Sequence, residues 1–406
     1  MRSRFAVWGG VAICGLTMAA CSSATRTDLF SGLPNAGLPP GTPAVDSADG
    51  GATADAKAKP KDPGSPTQGD AGAPEDRTDA APNDPNALLD GRCVRAAVTR
   101  APTYVLVALD GSGSMFSIWA NTVAALGGVF DDLGTAADPS FGVGLMVFSD
   151  SKDPTNGSGP YPSAKDVSIA PVLQAQHVAL RARIDPALEG GGSPTRVALS
   201  GAYAALETFL PTAPLPAGGK KVVLFITDGS IPNGGIPEED QCVTAAADKL
   251  LTKGIMTSVI GIGAFPAVTS EYEATFMGRL ASAGGVAPTG CNPLETANLQ
   301  NVCHNWVTPG GKTAVQLKQD FLGALHRAVV SCELGLGGSD PSQLNVVLKD
   351  GAGTESVVLQ DAVDGWTYDD PTNPSKAVLH GKSCDSLKLD PKASASFLAG
   401  CPTFVP

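Results

Sequence analysis

Two kinds of segment alternate along the middle of the chain. Residues 104–109 and 142–148 are short apolar runs rich in β-branched residues. A strand exposed on one side would alternate apolar and polar positions, so unbroken runs predict strands buried on both faces. Between them Trp119, Val123, Leu126 and Phe130 recur at spacings of three and four, the period of one helix face. The alternation continues with a short strand at 167–172 and helices at 174–184 and 195–209. Strands at 221–226 and 255–262 follow, with helices at 238–251, 271–283 and 314–330. In the last helix Leu317, Phe321, Leu325 and Val329 share one face. Strands alternating with helices imply right-handed crossovers and a sheet covered on both sides. The predicted fold is α/β: a doubly wound, mostly parallel sheet with helices on both faces.

Beyond Cys332 the helical period disappears. Residues 344–348, 356–359, 376–379 and 395–398 are short strand-like runs separated by Gly, Asp and Pro. They predict a small β-rich region over 333–406 that follows an α/β domain over 92–332. Trp366 reads as packing for that region.

The N-terminal end has a different character. Arg2 and Arg4 precede an almost continuous apolar run from residue 5 to 16, then Ala19, Ala20 and Cys21. This is a secretory signal layout, shorter than a membrane span. Met18-Ala19-Ala20-Cys21 resembles a bacterial lipobox, which implies a signal peptide over 1–20 and lipidation of Cys21. Ser22 in place of an aspartate leans towards the outer membrane or the cell surface. Residues 21–91 are rich in Pro, Ala, Gly and Asp. That composition cannot bury enough apolar surface to offset the entropy of ordering, and it predicts a disordered tether.

Charge narrows the function. With 28 Lys and Arg against 40 Asp and Glu, the formal net charge is −12. No basic cluster is present to bind a nucleic-acid backbone. Nine cysteines, less Cys14 and Cys21, leave an odd number in the folded part, where export favours disulfides over thiols.

The candidate chemistry sits where strands end. In open parallel sheets, ligands bind beyond the carboxyl ends of the strands. The first strand runs into Asp110-Gly111-Ser112-Gly113-Ser114, and the strand at 221–226 runs into Thr227-Asp228-Gly229. Between them in sequence lies Ser193-Pro194-Thr195, after three glycines. All the donors are hard oxygens, which suit Mg²⁺, Mn²⁺ or Ca²⁺ and do not select zinc or copper. In order and strand context, Asp110, Ser112, Ser114, Thr195 and Asp228 resemble the metal-ion-dependent adhesion site of von Willebrand factor A domains. The likeness extends over about residues 105–330, with Ser193 standing where many members carry threonine.

That resemblance implies direct ligation by Ser112 and Ser114, ligation by Thr195 directly or through water, and action of Asp110 and Asp228 mostly through water. Mg²⁺ is the ion it favours, with Ca²⁺ or Mn²⁺ as alternatives. The metal would keep an open position for a Glu or Asp carboxylate of a protein partner, so that binding occurs and no bond is broken. Cys93 and Cys332 bracket the domain, and a bridge there would staple its termini, as in some extracellular relatives. Cys291–Cys303 and Cys384–Cys401 are the remaining candidate pairs, with Cys242 left over, although sequence does not determine connectivity.

Other motifs fail their context. Gly310-Gly311-Lys312-Thr313 lacks the glycine and the strand of a phosphate loop, since position 306 is tryptophan. Gly261-Ile262-Gly263 lacks the third glycine of a dinucleotide fingerprint. No serine has the flanking glycines of a nucleophile elbow, and His177, His304, His326 and His380 lack ligand spacing. These features predict neither a nucleotide site nor an enzyme. They leave an adhesion or scaffold protein, or a structural envelope component in which the metal only stabilises the fold.

Overall fold

The computed structural model describes residues 85–91, 93–98, 101–150, 166–184, 188–229, 235–263, 272–308, 310, 312–390 and 392–405. The signal segment 1–20, Cys21 and nearly all of the 21–91 tether lie outside the described residues.

In chain order the elements are β1 (Val94–Ala97), β2 (Thr103–Asp110), α1 (Trp119–Ala136), β3 (Phe141–Phe148) and β4 (Val167–Pro171). They continue with α2 (Gln174–Ile184), α3 (Thr195–Thr208), β5 (Lys220–Thr227), α4 (Gly235–Lys253), β6 (Ile255–Ile262) and α5 (Ala274–Ala283). Then come β7 (Asn305–Val307), α6 (Ala314–Val329), β8 (Glu333–Gly335), β9 (Leu344–Lys349) and β10 (Glu355–Val358). The chain closes with β11 (Trp366–Tyr368), β12 (Lys376–Leu379), α7 (Gly381–Leu389) and β13 (Ser394–Ala399).

A six-stranded sheet in the order β4-β3-β2-β5-β6-β7 forms the centre of the larger unit. Its pairings are parallel except at the edge, where β4 runs antiparallel to β3. Strand β2 shows why the apolar runs are unbroken. Val105, Val107 and Leu109 face a core with α1, α2 and α6, including Phe130, Ile184 and Phe321. Leu106 and Ala108 face the opposite core, with Leu206 of α3, Cys242 of α4 and Phe276 of α5. Successive side chains of a strand point to opposite faces, so helices on both faces require apolar residues at both parities.

The smaller unit packs a four-stranded sheet, β1-β13-β9-β10, with a three-stranded one, β11-β12-β8. Its core includes Phe397, Leu344 and the fully buried Trp366, whose indole N–H donates to the Val358 carbonyl at 3.0 Å.

Two sequence expectations are corrected here. The expected Cys93–Cys332 and Cys384–Cys401 bridges are replaced by Cys93–Cys401 and Cys332–Cys384, while Cys291 and Cys303 are bonded to each other. The reason is strand pairing. β1 lies antiparallel to β13, with Val94 opposite Ala399, and brings the Cα atoms of Cys93 and Cys401 to 5.6 Å. β8 pairs with β12, the strand that leads into α7, and Cys332 meets Cys384 at a Cα separation of 5.4 Å. Both distances suit a disulfide. By the same pairing the segment around Cys93 joins the C-terminal unit and not the α/β domain in which a boundary at residue 92 had placed it. The C-terminal region also holds a helix, α7, in which only Leu387 is buried. One buried position in nine residues has no apolar period to read.

Cys242 is the free cysteine among the described residues and is buried; burial pushes its thiol up to about 12. In a full chain carrying Cys14→Ser and Cys21→Ser, we expect no thiol to react with a disulfide reagent under native conditions. One thiol should react after unfolding without reductant. Non-reducing peptide mapping should recover Cys93 joined to Cys401, and a Cys93–Cys332 peptide would contradict the pairing.

Candidate metal centre

β2 and β5 are hydrogen-bonded neighbours, with Leu109 opposite Ile226, so Asp110 and Thr227 emerge side by side at the carboxyl edge. Asp110 is fully buried. Its Oδ1 accepts from the Ser112 backbone N–H at 2.9 Å, and its Oδ2 accepts from Thr227 Oγ1 at 2.6 Å. Burial pushes the Asp110 pKa up, while hydrogen bonds from Thr227, Ser112 and the Ser193 side chain pull it back down.

The remaining donors extend outward from this base. Ser112 Oγ lies 3.0 Å from Ser114 Oγ, which donates to Asp228 Oδ1 at 2.9 Å. Ser112 is buried and Ser114 is exposed, so the chain of oxygens runs from the interior to solvent. Thr195, the buried first residue of α3, follows Ser193 on the loop tied to Asp110.

Backbone bonds interlock the loops. Gly113 N–H donates to the Gly191 carbonyl at 2.7 Å, and Gly190 N–H donates to the Gly111 carbonyl at 2.9 Å. Gly190 and Gly191 have φ of 79° and 82°, a left-handed backbone that favours glycine. From the side, Arg183 of α2 donates to Glu189 Oε1 at 2.8 Å and Asp166 Oδ1 at 3.1 Å. It thereby braces the residue preceding the glycine run.

The donor set fits a hard divalent cation. Neighbouring ligands of an octahedral ion with metal–oxygen bonds of about 2.1 Å lie about 3.0 Å apart. The Ser112–Ser114 spacing of 3.0 Å matches that edge. The hydroxyls now satisfy one another, and a cation would take over their lone pairs without rebuilding the loops. Among the described residues no group of three His, Cys, Asp or Glu side chains is arranged to hold a metal, so the candidate centre depends on hydroxyl oxygens.

Residues 105–300 match the family model of the von Willebrand factor type A domain. The chain carries a von Willebrand factor A domain. No curated protein matches it in sequence. Among solved structures it is similar to the pilus adhesin SpaC of Lactobacillus rhamnosus GG in an open conformation. That likeness has 14% identity and a TM-score of 0.39, over 74% of this chain and 38% of that one. A second is proximal thread matrix protein 1 of the mussel byssus with a zinc-occupied MIDAS motif, at 17% identity and TM-score 0.33, over 59% and 51%. A third is the human COPII-coat protein Sec24c, at 10% identity and TM-score 0.35, over 75% and 40%. The chain spans about half or less of the length of these proteins.

The five expected residues occupy the carboxyl edge of this A domain, and hydrogen bonds join Asp110, Ser112, Ser114 and Asp228 within it. Sequence pattern does not single out three further contributors: Thr227, Ser193 and the Arg183–Glu189 pair. Thr227 adjoins Asp228, but which hydroxyl meets a buried carboxylate depends on strand register, which no motif encodes. Thr227→Val removes a donor from a buried carboxylate and should destabilise the protein by about 1–3 kcal/mol. Urea unfolding of both proteins at pH 7 checks this, and equal midpoints would contradict it.

A second polar cluster lies at the end of β6. His304 Nε2 is 2.6 Å from the Tyr272 hydroxyl, and Trp306 stacks on both rings. Gly261 makes room, because a Cβ there would lie 2.2 Å from the Tyr272 oxygen. Burial lowers the His304 pKa to about 4, below the unfolded value of about 6.5. The folded state therefore binds fewer protons, and its full stability holds above about pH 6.5 and declines as pH falls towards 4. The expected loss from this group is on the order of 3 kcal/mol. Unfolding midpoints measured across that range should fall less steeply in a His304→Gln variant.

Proposed function

We propose that this chain is an exported, lipid-anchored protein whose von Willebrand factor A domain binds a divalent cation and, through it, an acidic residue of a protein partner. Mg²⁺ is the ion of choice, with Ca²⁺ and Mn²⁺ as alternatives. Ser112 and Ser114 hold the ion directly, and Thr195 holds it directly or through water. Asp110 and Asp228 act mostly through water. The supporting observation is the run of hydrogen bonds from the buried Asp110 carboxylate, which accepts from the Ser112 backbone N–H, through the Ser112 and Ser114 hydroxyls to Asp228. Neutral hydroxyls in the inner set leave the metal with residual positive charge, which favours an external carboxylate as the completing ligand. The proposed chemistry is adhesion, with no bond made or broken.

The signal layout and Cys21 support anchoring in the cell envelope, at the outer membrane or the surface. Among the described residues no helix is long and apolar enough to cross a membrane.

Calorimetric titration of Mg²⁺, Mn²⁺ and Ca²⁺ tests the metal site. The Ser114→Ala variant is the useful comparison, because this hydroxyl is exposed and its loss should leave the fold intact. We expect saturable binding to the native protein and about tenfold or greater weakening in the variant. Equal binding in both, or none in either, would overturn the metal site. Metal binding that raises thermal stability without supporting any carboxylate ligand would favour a structural envelope role.

A further inference from the structure

Phe116 is 80% exposed, and among the described residues it is the aromatic side chain left in that state. Single exposed apolar residues are ordinary on protein surfaces, and exposure alone would carry nothing. Its address changes that. Phe116 belongs to the 3-10 turn Gly113–Ser117, which begins inside the Asp110–Ser114 loop. It stands two residues after Ser114, so their Cα atoms are within about 7 Å.

The turn is also held in place. Met115, between the two, is fully buried in the core that contains Leu109 and Phe130. Met115 N–H donates to the Ser112 carbonyl at 3.2 Å, and Ile118 N–H donates to the Met115 carbonyl at 3.0 Å. A buried anchor therefore presents Ser114 and Phe116 together to solvent. An aromatic ring on a fixed turn gives a large apolar contact at low entropic cost, which is the usual character of an interface anchor.

Resting on the metal-site reading above, we infer that Phe116 is a specificity-determining contact of the same surface. The partner it fits is a protein segment in which the metal-binding Glu or Asp has an aliphatic or aromatic side chain within two positions. The carboxylate completes the metal while the neighbouring apolar group covers the Phe116 ring. Such a surface discriminates among acidic segments, which a metal ion alone does not do.

The test uses the full chain and densely coupled Gly/Ser nonapeptides, each with one Glu and one variable residue at positions −2 to +2 from it. Binding is read in Mg²⁺ and in EDTA, with Gln-for-Glu peptides as controls. We expect Leu, Ile and Phe peptides to bind about fivefold or more better than Ser peptides, from partial burial of one apolar side chain against the ring. The preference should vanish in Phe116→Ser and persist in part in Phe116→Leu, with Mg²⁺ affinity measured on both variants to show an intact loop. Glu- and Mg²⁺-dependent binding with no apolar preference, or with the same preference in Phe116→Ser, would overturn this inference and leave the metal site standing. Absence of any Glu- and Mg²⁺-dependent binding would overturn this inference together with the carboxylate-binding reading, while the direct Mg²⁺ titration decides the metal site separately.

Discussion

A carboxylate without solvent contact is costly unless hydrogen-bond donors surround it, and Asp110 is such a group at the end of the central strand. Its two oxygens engage different partners: one takes the backbone of its own loop at Ser112, the other takes Thr227 on the neighbouring strand. Ser193 adds a bond from the loop that precedes α3. Satisfying one buried group therefore draws together three segments that are distant in sequence. The oxygens that face outward inherit their positions from it. Ser114 reaches Asp228 because the same two strands, paired in register, carry both.

The sheet makes that convergence possible. With β2 and β5 parallel and adjacent, their carboxyl ends open on one side, and helices on both faces hold the strands so that only the loops are free to differ. The glycines at 190 and 191 let a backbone carbonyl approach Gly113 closely. Arg183 then holds the preceding Glu189 from the side. Rigid strands, a satisfied buried charge and a braced loop give a surface whose oxygen donors are already in place, which would lower the entropic cost of binding the proposed cation.

The smaller unit stands at the other end of the polypeptide's logic. It gathers the residues just before β2 and everything after α6, and disulfides close it twice. The last turn of the chain that precedes the α/β domain is packed here as well: Leu88 and Leu89 lie against Val347 and Leu398.

Much of this was legible beforehand. The unbroken apolar runs of β2, β3 and β5 announce strands buried on both faces, and the helices between the strands repeat at three and four. The same runs place Asp110 and Asp228 at strand ends, so the oxygen donors were visible as a set of residue types with one plausible meeting point. What local pattern could not supply was pairing. β4 turns antiparallel at the edge, β1 leaves its sequence neighbours for β13, and the cysteines follow the strands and not their order in the chain. Thr227, Ser193 and Arg183 acquire their roles in the same way, through contacts across the fold. The sequence by itself determined which segments are apolar enough to be strands and helices, because burial acts on each residue locally. Only the tertiary structure decided which strand lies beside which, because that choice depends on the combined packing and hydrogen bonding of segments far apart in the chain.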